Sequence, residues 1–188
     1  ARTAGARYVA GDIGPIGALL RPLGTLSFDE AYDLFAEEVR ASVDAGVDLF
    51  IIETMTDLAE IKAAVLACRE NSDLPVFATM TFEEDGRTFL GTSPEVAAIT
   101  LDAIGADVLG INCSQGPAEL RGLAARMLTV TDKPVMVQAN AGLPHVDDDG
   151  NTVFDIQAPE YAEAVAGMIE DGVSVVGGCC GTTPTHMA

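Results

Sequence analysis

The stretch Ala45-Gly46-Val47-Asp48-Leu49-Phe50-Ile51-Ile52-Glu53-Thr54 contains the pattern that decides the fold. In it a glycine closes a segment with helical spacing, and a short, almost continuously apolar run follows. Glycine allows the left-handed turn that ends a helix, and such an apolar run is typical of a strand covered on both faces. The same order recurs at Ile104–Asp107 and at Asp171–Ser174. The repeat therefore predicts helices that alternate with buried parallel strands.

Six apolar runs predict six strands, because each run is too short for a buried helix. The predicted strands are Tyr8–Gly11, Leu49–Glu53, Val76–Thr81, Val108–Cys113, Val135–Asn140 and Ser174–Gly178. The segments between them have helical spacing, and the predicted helices run from Ser27 to Gly46, Asp57 to Arg69, Ser93 to Ile104, Pro117 to Met127 and Pro159 to Asp171. Each helix can serve as the crossover between two parallel strands, so we expect a parallel sheet with right-handed connections.

An α/β architecture of this kind is either an open doubly wound sheet or a (β/α)₈ barrel. Six βα units are two fewer than a complete barrel contains. The chain opens on a strand, and Thr183-Pro184 has the sequence of a helix cap and first turn. We therefore predict that residues 1–188 form one domain, a (β/α)₈ barrel truncated to about six βα units that lacks the first two units and the last helix. Because two strand edges would then be unpaired, we expect the chain to be marginally stable or to self-associate.

The composition argues against several classes of function. The 188 residues include 29 Asp or Glu and 10 Lys or Arg, which gives a formal net charge of −19. Binding to nucleic acid or to an anionic membrane surface needs clustered cationic side chains instead. No apolar run approaches the length of about 18 residues that a membrane span requires. The four cysteines, two of them adjacent, do not form a secreted disulfide framework, so we expect a reducing, cytoplasmic location.

Chemically useful side chains fall at the carboxyl ends of the predicted strands, where the active sites of both architectures lie. They are Asp12, Glu53, Thr54, Thr79, Thr81, Asn112, Cys113, Gln138, Asn140, Cys179 and Cys180. The remaining cysteine, Cys68, falls inside a predicted helix, and we interpret it as a small core residue.

The three cysteines at strand ends have three interpretations. The adjacent pair Cys179-Cys180 can be two core residues, a strained vicinal disulfide or, together with Cys113, the ligands of one metal ion. Neighbouring side chains on a strand point to opposite faces, so both reach one ion only if the backbone leaves strand geometry, and the nearby glycines permit this. Three thiolates without a fourth are typical of a catalytic zinc site with an open position. The 65 residues between Cys113 and Cys179 are not a compact zinc-ribbon spacing, so spacing alone leaves the interpretations open.

The sequence around these cysteines resembles the homocysteine S-methyltransferase family. Gly110-Ile111-Asn112-Cys113-Ser114 and Gly177-Gly178-Cys179-Cys180-Gly181-Thr182 are similar to two motifs that are specific for this family when they occur together. Gly11–Pro15, Ile52–Thr54 and Gln138–Pro144 resemble further motifs at strand ends, so the likeness covers nearly the whole chain. Within the family, the chain is most similar to the homocysteine-binding barrel of the cobalamin-dependent methionine synthases.

The resemblance implies a fold, a metal site and a substrate site. The family fold is a (β/α)₈ barrel, and the six strands would correspond to its third through eighth. The implied zinc ligands are Cys113, Cys179 and Cys180, and the substrate-binding residues are Glu53, Asn112, Asn140 and Asp12.

Each predicted substrate residue has an alternative role. Glu53 is expected to bind the ammonium group of homocysteine, because a buried carboxylate is costly without a cation; alternatively, it accepts a hydrogen bond behind the site. Asn140 is either a temporary fourth zinc ligand, as the resemblance implies, or a partner for the local backbone. Asn112 can orient the neighbouring loop, and Asp12 can be a turn residue.

The implied reaction is zinc-dependent methyl transfer to the thiol of homocysteine, which gives methionine. A metal-bound thiol loses its proton, and zinc thus supplies a nucleophile at neutral pH. By the resemblance, the donor is methylcobalamin on a separate module, and the partners are the cobalamin-binding and folate-binding modules of the parent protein. The alternatives are betaine or S-methylmethionine as the donor, a non-catalytic zinc-binding barrel fragment, or a phosphate-binding barrel. Cysteines at the phosphate positions disfavour the last.

Overall fold

The fold alternates strands and helices along the chain, as a computed structural model of residue 3, residues 5–147 and residues 149–188 describes it. The strands are β1 (Ala10–Ile13), β2 (Leu49–Met55), β3 (Val76–Met80), β4 (Val108–Asn112), β5 (Val135–Ala139), β6 (His145–Val146), β7 (Thr152–Val153) and β8 (Val175–Gly178). The helices are α1 (Phe28–Asp44), α2 (Leu58–Asn71), α3 (Pro94–Ala103), α4 (Pro117–Leu128), α5 (Ala158–Glu170) and α6 (Pro184–Met187). The predicted alternation of helices with strands is confirmed.

The helices begin where the sequence supplies caps. The Ser27 hydroxyl accepts a hydrogen bond from the backbone N–H of Glu30, and the Glu30 carboxylate accepts one from the Ser27 N–H, so a capping box opens α1. Asp57 caps α2 and Ser93 caps α3 through their side-chain oxygens. α4 begins at Pro117, whose missing N–H costs nothing in the first turn. The predicted helix starts at these four residues are confirmed.

The main sheet is parallel throughout and follows chain order, β1-β2-β3-β4-β5-β8. A doubly wound sheet requires a point at which the strand order reverses, and the described strands contain no such reversal. Repeated crossovers of one hand then place the helices side by side on one face, and each helix from α1 to α5 contacts the next. The result is a curved half-barrel rather than an open doubly wound sheet.

The core lies between the sheet and its helices. Phe50 and Ile52 of β2 are fully buried on this face, and small residues of α2 let the helix approach the strands closely. Cys68 of α2 belongs to this core, and burial raises its thiol pKa to about 12. The interpretation of Cys68 as a core residue is confirmed. Among the described residues, no helix has the length and apolarity to cross a membrane.

Several element bounds differ from the prediction by one or two residues, and one hairpin was not predicted. β1 begins two residues later than predicted, at Ala10, because the preceding Val9 donates its N–H to the Asp48 carboxylate. The hairpin β6–β7 was not predicted, since its strands have two residues each and no apolar alternation. Its turn is held by the Asp147 carboxylate, which accepts hydrogen bonds from the N–H groups of Asp149 and Asn151.

The edges of the sheet give a prediction about association. Within the described part of the chain, β1 pairs only with β2, and β8 pairs only with β5. Val176 of β8 is 38% exposed, and unpaired strand edges bind other strands. We expect the sedimentation coefficient of the 188-residue chain to rise with concentration, and Val176→Lys to shift the chain toward monomer, because a lysine at an edge opposes strand pairing. One monomeric species at every concentration, together with a cooperative thermal melt, would contradict this expectation.

Candidate metal centre

Three cysteines meet at the carboxyl ends of neighbouring strands. In the register of the sheet, Asn112 of β4 lies beside Gln138 of β5, which lies beside Gly177 of β8. Cys113 directly follows β4, and the pair Cys179-Cys180 directly follows β8. Their sulfur atoms all lie within 4.8 Å of one another, and the Sγ atoms of Cys113 and Cys180 are 3.7 Å apart. The fold thus brings together residues that are far apart in the sequence.

The backbone leaves strand geometry at both cysteine segments. Cys113 and Ser114 have left-handed φ angles of 62° and 68°, which non-glycine residues rarely adopt and which cluster at functional sites. The N–H of Cys113 donates to the Gln138 carbonyl at 3.0 Å, and the Ser114 hydroxyl donates to the Phe82 carbonyl at 2.7 Å. These bonds hold the bend that follows β4.

The second segment turns after Cys179. The N–H of Cys179 still donates to the Ala139 carbonyl at 2.8 Å, whereas the N–H of Cys180 donates to the side-chain oxygen of Asn140 at 3.1 Å. A Cβ atom on Gly178 would lie 2.3 Å from the Thr182 hydroxyl oxygen, so the turn requires glycine there. The predicted departure from strand geometry is therefore present, and it begins at Cys180.

The vicinal disulfide does not form. All four cysteines of the chain lie in its described part, and each is a free thiol. Cys113 and Cys179 are partly buried and Cys180 is exposed, so the cluster is open to solvent on one side. Because Cys180 is exposed, the interpretation of Cys179-Cys180 as two core residues is disfavoured as well, and the interpretation as metal ligands remains.

Hydrogen bonds within the cluster distribute its charge unequally. The thiol of Cys179, with further help from the Ser114 backbone and the Asn140 side chain, lowers the pKa of Cys113 to about 5. The same contact raises the pKa of Cys179, and burial raises the pKa of Cys180. A thiolate on Cys113 thus opposes ionisation of its neighbours. Three thiolates coexist here only if a cation compensates their charge.

The donor set fits a zinc ion. Sulfur ligands about 2.3 Å from a tetrahedral zinc lie about 3.8 Å from each other, and the Cys113 and Cys180 sulfurs are already 3.7 Å apart. Thiolates are ligands that zinc prefers. Three of them leave a fourth position open, as catalytic zinc sites do. The cluster therefore has the chemistry and the spacing of a metal centre.

A carboxylate lies across the concave face of the sheet from the cluster. Glu53 ends the regular part of β2, and the Gln138 amide nitrogen donates to its Oε2 at 3.2 Å. Burial raises the pKa of Glu53, and the negative charge of the exposed Asp12 on β1 raises it further. The structure thus brings Glu53 and Asp12 into one acidic region.

Asn112 of β4 is fully buried, and its amide connects β4 to both β3 and β2. Its Oδ1 accepts hydrogen bonds from the Thr54 N–H and the Thr79 hydroxyl, both at 2.8 Å. Its Nδ2 donates to the Thr54 hydroxyl at 2.8 Å. Thr54 has a left-handed φ of 63° and directly follows Glu53, so the Asn112 amide supports a strained turn beside that carboxylate.

Two residues of the site were not assigned a role from the sequence. The Tyr161 hydroxyl of α5 lies 2.8 Å from the Gly177 carbonyl and 3.0 Å from the Ala139 carbonyl, so it joins β8 to β5 below the cysteines. The sequence offers one signal for this role of Tyr161, namely a phenol hydroxyl at a position of the helix where the spacing predicts an apolar side chain. Gln138 faces the site from β5, and the sequence placed it only at a strand end. The hydrogen bond from its amide to Glu53 depends on how the strands are arranged, which the sequence does not show.

The sequence comparisons agree with this geometry. The family model of homocysteine S-methyltransferase matches residues 1–188. The methionine synthases of Mycobacterium leprae and Mycobacterium tuberculosis are both 39% identical to the chain over 187 aligned residues, which cover 96% of the chain. The chain spans 15% and 16% of the length of these two relatives.

Solved structures share the fold. The apo form of the homocysteine methyltransferase MmuM from Escherichia coli is 23% identical and aligns with a TM-score of 0.76, covering 99% of this chain and 62% of its own. The metallated form of the same enzyme is 24% identical and aligns with a TM-score of 0.77, covering 99% and 61%. The match of the family model to the whole sequence and the identity to the methionine synthases confirm the resemblance: the chain belongs to the homocysteine S-methyltransferase family.

Proposed function

We propose that this chain is the homocysteine-binding part of an enzyme that transfers a methyl group to the homocysteine thiol and releases methionine. The observation that carries the proposal is the cluster of three cysteine sulfurs within 4.8 Å at the carboxyl end of the sheet. Active sites of α/β barrels are built at that end. The identity of 39% to two methionine synthases supports the same reaction.

We propose further that residues 1–188 are a partial barrel domain, namely βα units three to eight of a (β/α)₈ barrel without its last helix. The sequential strand order of the curved sheet supports this assignment. The chain also covers 62% of the Escherichia coli homocysteine methyltransferase with which it aligns. The first two units of the barrel would pair with the free edges of β1 and β8.

Methylcobalamin on a separate module is the proposed methyl donor. Because the chain spans 15% and 16% of the two methionine synthases, most of each relative lies outside the matched region. That remainder has room for cobalamin-binding and folate-binding modules. Betaine or S-methylmethionine is the alternative donor.

Cys113, Cys179 and Cys180 would hold the zinc. When bound, zinc would lower the pKa of the homocysteine thiol and so supply a thiolate nucleophile at neutral pH. The hydrogen bond from the Cys180 N–H to the Asn140 side-chain oxygen keeps the second cysteine segment in place. We therefore assign Asn140 a positioning role. Its temporary ligation of the metal stays a prediction. The cysteines must stay reduced, which places the reaction in a reducing compartment such as the cytoplasm.

Glu53 is the proposed partner of the substrate ammonium group. Its carboxylate is half-buried, and burial favours the neutral form. A cation beside it reverses that preference, and Asp12 strengthens the negative potential of the region. We assign Asn112 a positioning role, because its amide is fully engaged by Thr54 and Thr79. Direct contact of Asn112 or Asp12 with the substrate stays a prediction.

The zinc assignment predicts metal content. We expect about one zinc ion per chain after purification under reducing conditions, and Cys179→Ala to lose it, because two thiolates are too few for a stable catalytic site. Cys68→Ala, in the core, is the matched control and should keep its zinc. Mass spectrometry of the metal and X-ray absorption spectroscopy give the content and the number of sulfur ligands. Absence of bound metal in the folded, reduced chain would overturn the assignment.

The role of Glu53 predicts a loss of substrate affinity. Glu53→Gln removes a charged acceptor, so we expect the Kd for homocysteine of the zinc-loaded chain to rise about 10- to 100-fold in isothermal titration calorimetry. The zinc content should not change. Glu37→Gln, on the exposed face of α1, is the control variant. Equal affinities of wild type and Glu53→Gln would exclude the proposed ion pair.

The role of Asn112 predicts a loss of stability without any ligand. Asn112→Ala leaves the Thr54 N–H without its partner. It also takes from the Thr79 hydroxyl its 2.8 Å acceptor, with only the Ile52 carbonyl at 3.4 Å remaining. We therefore expect the free energy of unfolding in urea to fall by about 2 to 4 kcal/mol. Asn151→Ala, on the exposed hairpin, should change stability by less than about 0.5 kcal/mol. Unchanged stability of Asn112→Ala would point to a role in substrate binding alone.

A further inference from the structure

We propose that Gln138 determines specificity for the amino group of the substrate: its Oε1 atom accepts a hydrogen bond from the same ammonium group that Glu53 pairs with. The inference rests on the proposed function, and it adds a residue and a chemical criterion to it. Three observations support it: the fixed orientation of the amide, a buried oxygen without a partner, and the donors that an ammonium group offers.

The orientation of the Gln138 amide follows from its neighbour. Its Nε2 donates to Oε2 of Glu53 at 3.2 Å. When Glu53 is ionised, as it would be beside an ammonium group, the reversed amide would place its oxygen against the carboxylate, and two acceptors repel each other. Gly177 of β8 leaves the room for this side chain, because a Cβ atom there would lie 3.2 Å from Cγ of Gln138. The amide oxygen therefore points away from the Glu53 carboxylate.

Oε1 of Gln138 is buried and accepts no hydrogen bond from the described residues. A buried carbonyl oxygen without a partner destabilises a fold, and native structures contain few such atoms. The other buried amide of the site shows the contrast, since Oδ1 of Asn112 accepts two hydrogen bonds. The unsatisfied oxygen belongs to a partly exposed residue at the carboxyl end of the sheet, whose amide nitrogen bonds to a carboxylate. A donor that binds beside Glu53 would satisfy this oxygen after a small turn of the side chain.

An ammonium group is the ligand group that satisfies both atoms. It carries a positive charge and three N–H donors, and it has no acceptor that would repel either oxygen. Glu53 neutralises the charge, and Oε1 of Gln138 takes a second N–H. A thiol ligand without an amino group leaves Oε1 of Gln138 unpaired and the charge of Glu53 uncompensated. Glu53 and Gln138 together thus distinguish an amino acid from its deaminated analogue. The difference in affinity is large, because binding of the analogue leaves polar groups of the site without their partner.

The test compares two ligands and two variants of the zinc-loaded chain by isothermal titration calorimetry. The ligands are homocysteine and 4-mercaptobutanoate, which lacks the amino group. Gln138→Leu should bind homocysteine about tenfold more weakly than wild type and 4-mercaptobutanoate equally well, because only the ammonium group uses the lost acceptor. Met136→Leu, two residues earlier on β5 and 4% exposed, is the matched control and should leave both affinities unchanged.

A thermal melt without ligand separates this role from a structural one. Gln138→Leu removes an unsatisfied buried oxygen together with the single 3.2 Å hydrogen bond from Nε2 to Glu53, so we expect its Tm to change little, whereas removal of an amide that makes several structural hydrogen bonds, such as that of Asn112, would lower it. Gln138→Met, an unbranched variant of similar length, repeats the measurement should the leucine variant fold poorly.

The possible outcomes are distinct. The inference would be overturned if the Gln138 variants lost affinity for both thiol ligands equally, or if their affinity for homocysteine did not change. Binding of homocysteine to the wild type would leave the proposed function intact in either case. A wild-type, zinc-loaded chain that binds neither thiol would overturn the proposed function, and the inference with it.

Discussion

Repulsion between thiolates is the constraint on which the rest of the site depends. Three cysteine sulfurs within 4.8 Å cannot all ionise without a cation, and the lowered pKa of Cys113 beside the raised pKa of Cys179 expresses this. The fold therefore has to hold the sulfurs close together by other means. It does so through the backbone, since the N–H groups of Cys113, Cys179 and Cys180 each donate to an acceptor on or directly after β5. β5 is the common support of the site, and the two cysteine segments attach to it from either side.

The same strand connects the metal centre to the acidic region. Gln138 accepts the N–H of Cys113 with its backbone carbonyl and donates to Glu53 with its side chain. Tyr161 braces β5 against β8 from the helix side. Because the strands are parallel and follow chain order, their carboxyl ends lie at one edge, and residues on or directly after five of them contribute to the site. The order of the strands thus sets the distance between the cysteine cluster and the Glu53 carboxylate.

The sequence predicted the elements and the location of the site, because both follow from short-range patterns. Buried parallel strands are apolar runs, caps such as Ser27 mark helix starts, and topology brings strand ends together. The later start of β1 and the turn at Asp147 depend on single side-chain bonds to the backbone, which no periodicity encodes. The hydrogen bond between Thr54 and Asn112 depends on the register of the strands, and so does the unpaired oxygen of Gln138. Strand register relates residues that are more than 25 positions apart in the sequence.

The negative charge of the site explains why a metal and an amino acid would bind there together. Burial opposes a charged Glu53, and the negative charges of Asp12 and Cys113 oppose it further. A cation held by the cysteines would remove one source of that repulsion, and an ammonium group would remove the rest. The cation at the cysteines therefore favours ionised Glu53, to which the ammonium group binds. The ammonium group in turn favours ionised cysteines, to which the cation binds. Under the proposed function, zinc and homocysteine would then bind with positive coupling, since each positive charge lowers the repulsion among the thiolates, Asp12 and Glu53 that the other ligand meets.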